Sequence, residues 1–187
     1  MSKIKSMAET ANHAPMNQFE VADNCLRIGG QPLVDLARQV GNTPFYAYDR
    51  TVMRSQVEQL RAALPAEIHL HYAMKANPMP EVVEYLAGIT EGLDVASAGE
   101  LKVALEAGAK TANISFAGPG KSDADLHAAV DSGVIINMDS NAEMLRTAAL
   151  AEEQPTRPRA PIRINPDFEL KPPGIKWGSG PYPCGAC

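Results

Sequence analysis

Hydrophobic and polar residues follow two different periods along the chain, and these periods predict alternating strands and helices. Short apolar runs predict strands at residues 68–74, 92–97, 113–118, 134–140 and 161–165. Apolar residues at helical spacing predict helices near residues 79–88, 98–108, 122–132 and 141–153. The strands begin at intervals of about 20 to 27 residues. Such alternation is typical of parallel strands joined by right-handed helical crossovers that cover the sheet.

The N-terminal part of the chain has a different pattern. Residues 1–18 are polar, which predicts a flexible N-terminus. Residues 19–49 contain short alternating runs around Gly29-Gly30, a short helix at 32–40 and the extended stretch "TPFYAYD". We therefore expect a flexible first segment, residues 1–18, and a second segment of strands and a helix, residues 19–49, before the regular alternation begins.

The third segment, residues 50–176, starts with a predicted helix over about 50–64 and contains all the alternating elements. An open doubly wound sheet and a β/α barrel both fit this order of elements. A dinucleotide-binding sheet would require G-x-G-x-x-G after its first strand, and "KANPMP" has no glycine there. The sequence therefore favours the N-terminal portion of a (β/α)8-type barrel, with about five of the eight strands.

Composition and charge narrow the possible partners. Hydrophobic residues make up 45% of the chain and charged residues 21%, with a net charge of -5 and no basic stripe. Nucleic acid and anionic membranes are therefore not expected partners. The chain also lacks an apolar stretch of the roughly 18 residues that a spanning helix requires. We expect a small-molecule partner and a cytoplasmic location.

The three cysteines predict neither a disulfide framework nor a metal site. Cys184 and Cys187 form a C-x-x-C pair in the last segment, residues 177–187. A structural zinc site would require a second pair of ligands, and a redox motif would require a helix N-terminus beside the thiols. The sequence offers neither, so no metal is predicted.

Lys75 stands at the end of an apolar strand in "HYAMKANPMP", where a buried strand meets an Asn-Pro turn. In a β/α barrel, chemistry takes place at the carboxyl ends of the strands. The residues predicted at those ends are Lys75, Asp94, Ser97, Gly118 and Asp139. Strand alternation predicts that Ala73 and Lys75 share a face, which leaves room for a bulky group. Lys75 is then either a nucleophile toward a carbonyl or a strand-end lysine that reaches solvent.

The stretch "AGPGKS" at residues 117–122 ends in the Gly-Lys-Ser that is typical of a phosphate-binding loop. A Walker A loop requires a glycine five residues before Gly120, where this chain has Ser115. Pro119 also interrupts the loop. Nucleotide binding is therefore not predicted.

Five motifs taken together carry a family resemblance. They are "YAMKANP", "GLDVASAGEL", "ISFAGPGKS", "INMDS" and "IRINPD", in this order. They resemble the pyridoxal-phosphate (PLP) decarboxylases of the alanine-racemase-like fold, the diaminopimelate and ornithine decarboxylase family. The resemblance runs from about residue 26 to residue 180 and is greatest to the diaminopimelate-decarboxylase-like members associated with exosortase systems. It implies a PLP-binding barrel and PLP as the cofactor.

The resemblance also implies roles for individual residues. Lys75 would be the Schiff-base lysine, and Ala73 would form part of the wall beneath the cofactor. Asp94 and Ser97 would lie near that lysine, and Glu100 would support the same polar cluster. Each of the three has an alternative interpretation, Asp94 or Ser97 as a helix N-cap and Glu100 as an acid in the first helical turn.

Arg163, in "IRINP", would by the same resemblance point inward near the cofactor ring. Its alternative interpretation is an ion pair at a strand end.

The implied function is PLP-dependent decarboxylation of a basic or diamino acid, by a protein that is a homodimer when complete. Residues 19–49 would pack with a β-domain that this chain lacks, and residues 177–187 depart from the family pattern. We therefore expect an incomplete barrel with little or no catalysis by these residues alone. Two alternatives remain: a non-catalytic homologue or fragment that binds a full-length partner, and a PLP-binding barrel without decarboxylase activity.

Overall fold

The computed structural model describes residues 16–152, 154–155 and 157–164. They fall into two compact units, which divide between Gln56 and Val57. The predicted tail at 177–187 and most of the predicted flexible N-terminus lie outside the described residues. Among the described residues, every helix is too short or too polar to span a bilayer.

The first unit contains a small antiparallel sheet followed by a helix. Its elements are β1 (Val21–Ala22), β2 (Cys25–Ile28), β3 (Gln31–Pro32) and α1 (Leu33–Val40). Two-residue turns connect the strands, Asp23-Asn24 first and Gly29-Gly30 second, and all four of these residues have positive φ. Positive φ at both turn positions is the type I′ pattern, which suits the twist of a hairpin.

Asp49 connects the second turn to the start of helix α2 (Arg50–Ala63). Its carboxylate accepts hydrogen bonds from Gly29 N at 2.7 Å and from Thr51 N at 2.8 Å. The bond from Gly29 is the main reason why the pKa of Asp49 is lowered from its ordinary value. Asp49 therefore caps α2 and fixes the preceding hairpin.

The second unit contains a parallel sheet with helices between its strands. Within the described residues, the sheet order is β4 (His71–Ala73), β5 (Gly92–Val95), β6 (Ile114–Phe116) and β7 (Ile135–Ile136). The helices are α3 (Pro80–Ala87), α4 (Ala98–Glu106), α5 (Asp123–Ser132) and α6 (Asn141–Ala151). Strand and helix alternate as the hydrophobic pattern predicted.

The core of this unit lies between the sheet and its helices. Strand residues in the core include Leu93, Val95, Ile114, Phe116 and Ile136, and each is 0% exposed. Helix residues in the core include Val83, Leu101, Ala104, Leu126 and Ala129. Alternate strand residues face the helices, as expected for one covered side of a sheet.

The predicted fifth strand, residues 161–165, differs from the expectation. It appears as an extended segment with isolated parallel bridges between Ile135 and Arg159 and between Met138 and Ile162. Pro161 accepts a bond from Met138 N at 2.8 Å but has no N–H of its own to donate. The ladder with β7 is therefore interrupted, although the segment runs where a fifth strand was expected; residue 165 lies outside the described residues.

Candidate functional site

A row of small and polar side chains lies on the sheet face opposite the helices. Ala73, Asp94 and Ser115 are register partners on β4, β5 and β6. Register partners point to the same side of a sheet, whereas the alternate residues Leu93 and Val95 are buried against the helices. Ser115 Oγ donates a hydrogen bond to Asp94 Oδ1 over 2.5 Å. The Asp94 side chain on β5 is therefore fixed by Ser115 on the neighbouring strand β6. Asp94 does not cap the following helix, α4.

Lys75 lies at the carboxyl end of β4 but not in the strand. Met74–Ala76 form a turn of 3-10 helix, so the strand alternation ends at Ala73. The prediction that alternation places Lys75 on the same face as Ala73 is wrong on this point. The physical reason is the geometry of the turn: a 3-10 helix has three residues per turn, so successive side chains lie about 120° apart and not on opposite faces. Met74 is 0% exposed in the core, and Lys75 is exposed.

Ser97 and Glu100 form the N-terminal cap of α4. Ser97 Oγ accepts a hydrogen bond from Glu100 N at 3.2 Å. Glu100 Oε2 accepts one from Ala96 N at 2.8 Å. These contacts match the alternative interpretation of both residues, in which a serine cap and an acid in the first turn satisfy free backbone N–H groups.

Arg163 lies on the extended segment beside β7. Its backbone N donates to Met138 O at 3.0 Å, which fixes the main chain. Its Nη1 lies 3.4 Å from Asp139 Oδ1, and its side chain is 34% exposed. The described contact is therefore an ion pair at a strand end, with the guanidinium partly open to solvent.

A buried ion cluster lies next to Arg163, and the sequence analysis did not predict it. It consists of Lys121, whose side chain is 0% exposed, and of Asp139 and Glu143, whose side chains are 3% exposed. Lys121 Nζ donates to Gly118 O and Asn137 O, both at 2.7 Å, and to Asp139 Oδ2 at 3.2 Å. Glu143 Oε1 lies 2.7 Å from the same nitrogen as an ion pair, outside hydrogen-bonding geometry.

A local signal for this cluster is present in the sequence. Lys121 and Asp139 each come directly before a serine, Ser122 and Ser140, that caps the next helix. They therefore occupy equivalent positions in successive β/α units, which adjacent strands bring side by side. In the sequence, Lys121 stands out only through the "AGPGKS" stretch. The partner of Asp94, Ser115, was missed because cross-strand register is not readable from one strand.

The N-termini of α4, α5 and α6 at this edge of the sheet are each capped by the chain's own side chains, whereas that of α3 has no side-chain cap. Asp125 accepts from Ser122 Oγ at 2.6 Å and from Ala98 N, at the start of α4, at 2.7 Å. The bond from Ser122 is the main reason why the pKa of Asp125 is lowered from its ordinary value. At α6, Glu143 N donates to Ser140 Oγ at 3.2 Å. These N–H groups and dipoles are therefore already engaged and are not arranged for an external anion.

The arrangement favours carbonyl chemistry at Lys75. A primary amine is the nucleophile that condenses with an aldehyde, and Lys75 presents one at the edge where barrel enzymes carry their chemistry. Ala73 contributes only a methyl group beside it, while the Asp94–Ser115 pair lies next in the row. These residues can therefore accept a flat carbonyl-bearing group and supply polar contacts to it.

Comparison with protein families gives one match that covers most of the chain. Residues 50–176 match the family described as pyridoxal-dependent decarboxylase, pyridoxal binding domain. A diaminopimelate decarboxylase from Campylobacter jejuni is 37% identical over 136 residues, which are 72% of this chain and 34% of that protein. An L-glutamyl-[BtrI acyl-carrier protein] decarboxylase from Niallia circulans is 38% identical over 140 residues, 74% of this chain and 33% of that protein.

Solved structures agree with these sequence matches. A crystal structure from Aquifex aeolicus superposes with a TM-score of 0.68 at 35% identity, over 74% of this chain and 34% of the other. A mutant diaminopimelate decarboxylase from Helicobacter pylori in complex with L-lysine gives a TM-score of 0.64 at 32% identity, over 72% and 34%. The chain thus spans about a third of the length of the relatives that it matches.

Proposed function

Because the chain belongs to the pyridoxal-dependent decarboxylase family, we propose that it forms the lysine-bearing part of a PLP site that decarboxylates a basic or diamino acid. The cofactor of this family is PLP, as predicted, and the fold is the N-terminal portion of its barrel. The chain spans about a third of its curated relatives, 34% in one case. The activity and the substrate of the whole protein are therefore part of the proposal.

The observation that carries the proposal is the exposed Lys75 at the carboxyl edge of β4, two residues after Ala73, which ends the strand. The donor set fits the aldehyde and the ring of PLP: an amine for the carbonyl carbon, a methyl-sized wall, and the carboxylate of Asp94. The phosphate group of PLP requires a set of hydrogen-bond donors of its own. The capped N-termini of α4 and α5 lack a free anion site within the described residues, so other parts of a complete barrel must hold the phosphate.

Each residue has a task in the proposed site. Lys75 would hold the cofactor through its amine, since a primary amine is the side-chain group that binds an aldehyde covalently. Asp94, fixed by Ser115, presents a carboxylate to the bound group. Arg163 adds a positive charge at the same edge. When bound, PLP takes up the electron pair left as the substrate carboxylate departs as carbon dioxide.

Ser97 and Glu100 act one step further from the chemistry in this proposal. Their mutual contacts fix the start of α4 and the loop after Asp94, so they support the shape of the site.

The substrate class follows from the names of the relatives. Several relatives are diaminopimelate decarboxylases, and one solved relative is a lysine/ornithine decarboxylase complexed with putrescine. Diaminopimelate, lysine and ornithine each carry a second amine, whereas the glutamyl group named for the relative from Niallia circulans does not. Diaminopimelate, lysine, ornithine and arginine are all candidates for this protein.

Three finer expectations from the resemblance stay predictions. They are the association with exosortase systems, the cytoplasmic location, and the homodimer of the full-length protein. Light scattering of a full-length protein containing this segment would test the last of these directly.

Trapping of the cofactor tests the proposed site. The purified chain is incubated with PLP and reduced with borohydride, which converts the C=N bond into a stable secondary amine. Peptide mass mapping is expected to find the adduct on Lys75, and Lys75→Ala is expected to lose it. The reason is that Lys75 is an exposed lysine at the carboxyl edge of the sheet, the edge at which the proposed site lies.

Lys110 provides the matched control for this experiment. It is an exposed lysine that precedes β6, so it lies at the opposite edge of the sheet. Lys110→Ala is expected to leave the Lys75 adduct unchanged. Equal labelling of Lys75 and Lys110, or no labelling at all, would sink the proposal of an active lysine.

A further inference from the structure

The buried ion cluster defined above carries an unbalanced charge. Lys121 contributes one positive charge, whereas Asp139 and Glu143 contribute two negative charges. An uncompensated buried charge destabilises a protein strongly, so a cluster of this kind requires another cation nearby. Arg163 supplies it, with Nη1 at 3.4 Å from Asp139 Oδ1. The four groups together are formally neutral.

Asp139 joins the buried and the exposed parts of this cluster through its two oxygens. Oδ2 lies 3.2 Å from Lys121 Nζ, in a site where the lysine side chain is 0% exposed. Oδ1 faces Arg163, whose side chain is 34% exposed. The Asp139 carboxylate therefore contacts both a fixed, buried lysine and a partly exposed guanidinium.

Several hydrogen bonds fix the backbone at Asp139 and the two charged side chains next to it. Its own backbone N donates to Glu143 Oε2 at 2.8 Å, on the first turn of α6. Glu143 N in turn donates to the capping Ser140 Oγ at 3.2 Å. Lys121 is itself fixed by two carbonyl oxygens, those of Gly118 and Asn137. Because these contacts involve the carboxyl ends of β6 and β7, the direction of Asp139 is set by the sheet.

We propose that Asp139 is a positioning residue that directs the Arg163 guanidinium toward the cofactor. The inference rests on the proposed function, since it assumes that PLP binds at this edge of the sheet. Arginine has a long side chain with considerable rotamer freedom, and a fixed carboxylate lowers the cost of ordering it before a ligand binds. Lys121 and Glu143 act through Asp139 and do not contact the cofactor.

The first test measures Arg163 without any cofactor. NMR of the full chain reports the rate of rotation about the Nε–Cζ bond of the Arg163 guanidinium, which a fixed ion pair slows. Asp139→Asn is expected to raise this rate severalfold. The substitution keeps the shape of residue 139 and leaves Lys121 paired with Glu143, so folding is expected to be preserved. An unchanged rate would overturn the proposal.

The second test measures PLP binding by absorbance titration. Asp139→Asn and Arg163→Gln are each expected to weaken binding by about tenfold, equivalent to ~1.4 kcal/mol. The double variant is expected to bind no more weakly than either single variant, because the two residues act as one unit. Additive losses would show that Asp139 acts independently of Arg163 and would overturn the proposal.

Asp35→Asn serves as the matched control. Asp35 pairs with Arg38 at 2.7 Å in the other compact unit, so the substitution changes an aspartate–arginine pair that does not belong to the cluster. Neither the Arg163 rotation nor the PLP affinity is expected to change. A purely structural Asp139 would lower the free energy of unfolding without altering the Arg163 rotation, which would also overturn the proposal.

Failure of the proposed function gives a different result. If the unsubstituted chain shows no adduct at Lys75, the PLP site is wrong, and the cofactor part of this inference is overturned with it. The rotation rate still decides whether Asp139 fixes Arg163.

Discussion

Gly92 begins β5 at a point where neighbouring atoms leave no space for a side chain. A Cβ at this position would overlap the carbonyl oxygen of Asn113 and would lie 2.6 Å from His71 Cε1. Backbone of a neighbouring strand cannot move aside as a flexible side chain can. Gly92→Ala is therefore expected to lower the free energy of unfolding by about 1–3 kcal/mol, the usual cost of overpacking. Urea unfolding followed by circular dichroism measures it.

Gly99 is the matched control for this substitution. It lies in α4, and a Cβ there would meet only Ser97 Oγ, at an ordinary 3.8 Å. Gly99→Ala is expected to stabilise the chain slightly, because alanine has a higher helix propensity than glycine. Similar destabilisation by both substitutions would contradict the steric explanation for Gly92.

At the residue scale, the sequence predicted which edge of the sheet carries Lys75 but not how the lysine is presented. The alternation rule failed there because the strand ends at Ala73 and the chain continues as a 3-10 turn, in which side chains no longer alternate between two faces. The burial of Lys121 was missed for a different reason. Its carboxylate partners come 18 and 22 positions later along the chain, so their contact depends on the packing of successive units.

At the element scale, Asp125 stabilises the starts of two helices. Its carboxylate accepts from Ser122 and from Ala98, and the pKa of Asp125 is lowered chiefly by the Ser122 bond. A carboxylate with a lowered folded-state pKa stabilises the fold above its unfolded value, about 4, and this stabilisation is lost as the pH falls through the folded value. Asp125→Ala is expected to cost about 1 kcal/mol at pH 7.

The dependence on pH distinguishes this effect from a general loss of packing. The difference in the free energy of unfolding between Asp125→Ala and the unsubstituted chain is expected to shrink as the pH falls below about 4. The reason is that a protonated Asp125 no longer provides the stabilisation that accompanies its lowered pKa. Asp123→Ala is the control on the same helical turn: it removes an ion pair with Arg146, and Asp123 is 81% exposed. Its effect is expected to stay within about 0.5 kcal/mol. Urea unfolding at several pH values tests both.

Helices were easier to predict from the sequence than strands, and the reason is local. Serines at 97, 122 and 140 cap their helices through bonds to residues three positions ahead, so the signal lies within a few residues. Strands depend on partners far along the chain. The segment at 161–165 had the apolar pattern of a strand, but Pro161 interrupts its pairing with β7.

At the scale of the whole molecule, the order of strands and helices and five motifs were enough to predict the family and the cofactor. The fold follows from periodicity, since each β/α unit buries its apolar face against the next. The substrate does not follow, because the chain spans about a third of its relatives, 33–34% for two of them. Residues that recognise a substrate side chain lie on loops from the whole barrel rim, and a partial rim determines only part of that pocket.

The same partial rim leads to a prediction about catalysis by the chain alone. The N-termini of α4, α5 and α6 at the carboxyl edge are capped by the chain's own side chains, whereas tight PLP binding requires donors for the phosphate. Release of carbon dioxide from labelled lysine, ornithine, arginine or diaminopimelate is therefore expected to be no faster than with free PLP. Labelling of Lys75 is still expected, because the contacts proposed for the cofactor ring lie at the carboxyl edge of β4 and do not involve the phosphate. The diaminopimelate decarboxylase from Campylobacter jejuni serves as the positive control, and Lys75→Ala as the negative control. Carbon dioxide release that exceeds free PLP and disappears in Lys75→Ala would contradict the prediction and would show that this third of the family's length already forms a working site.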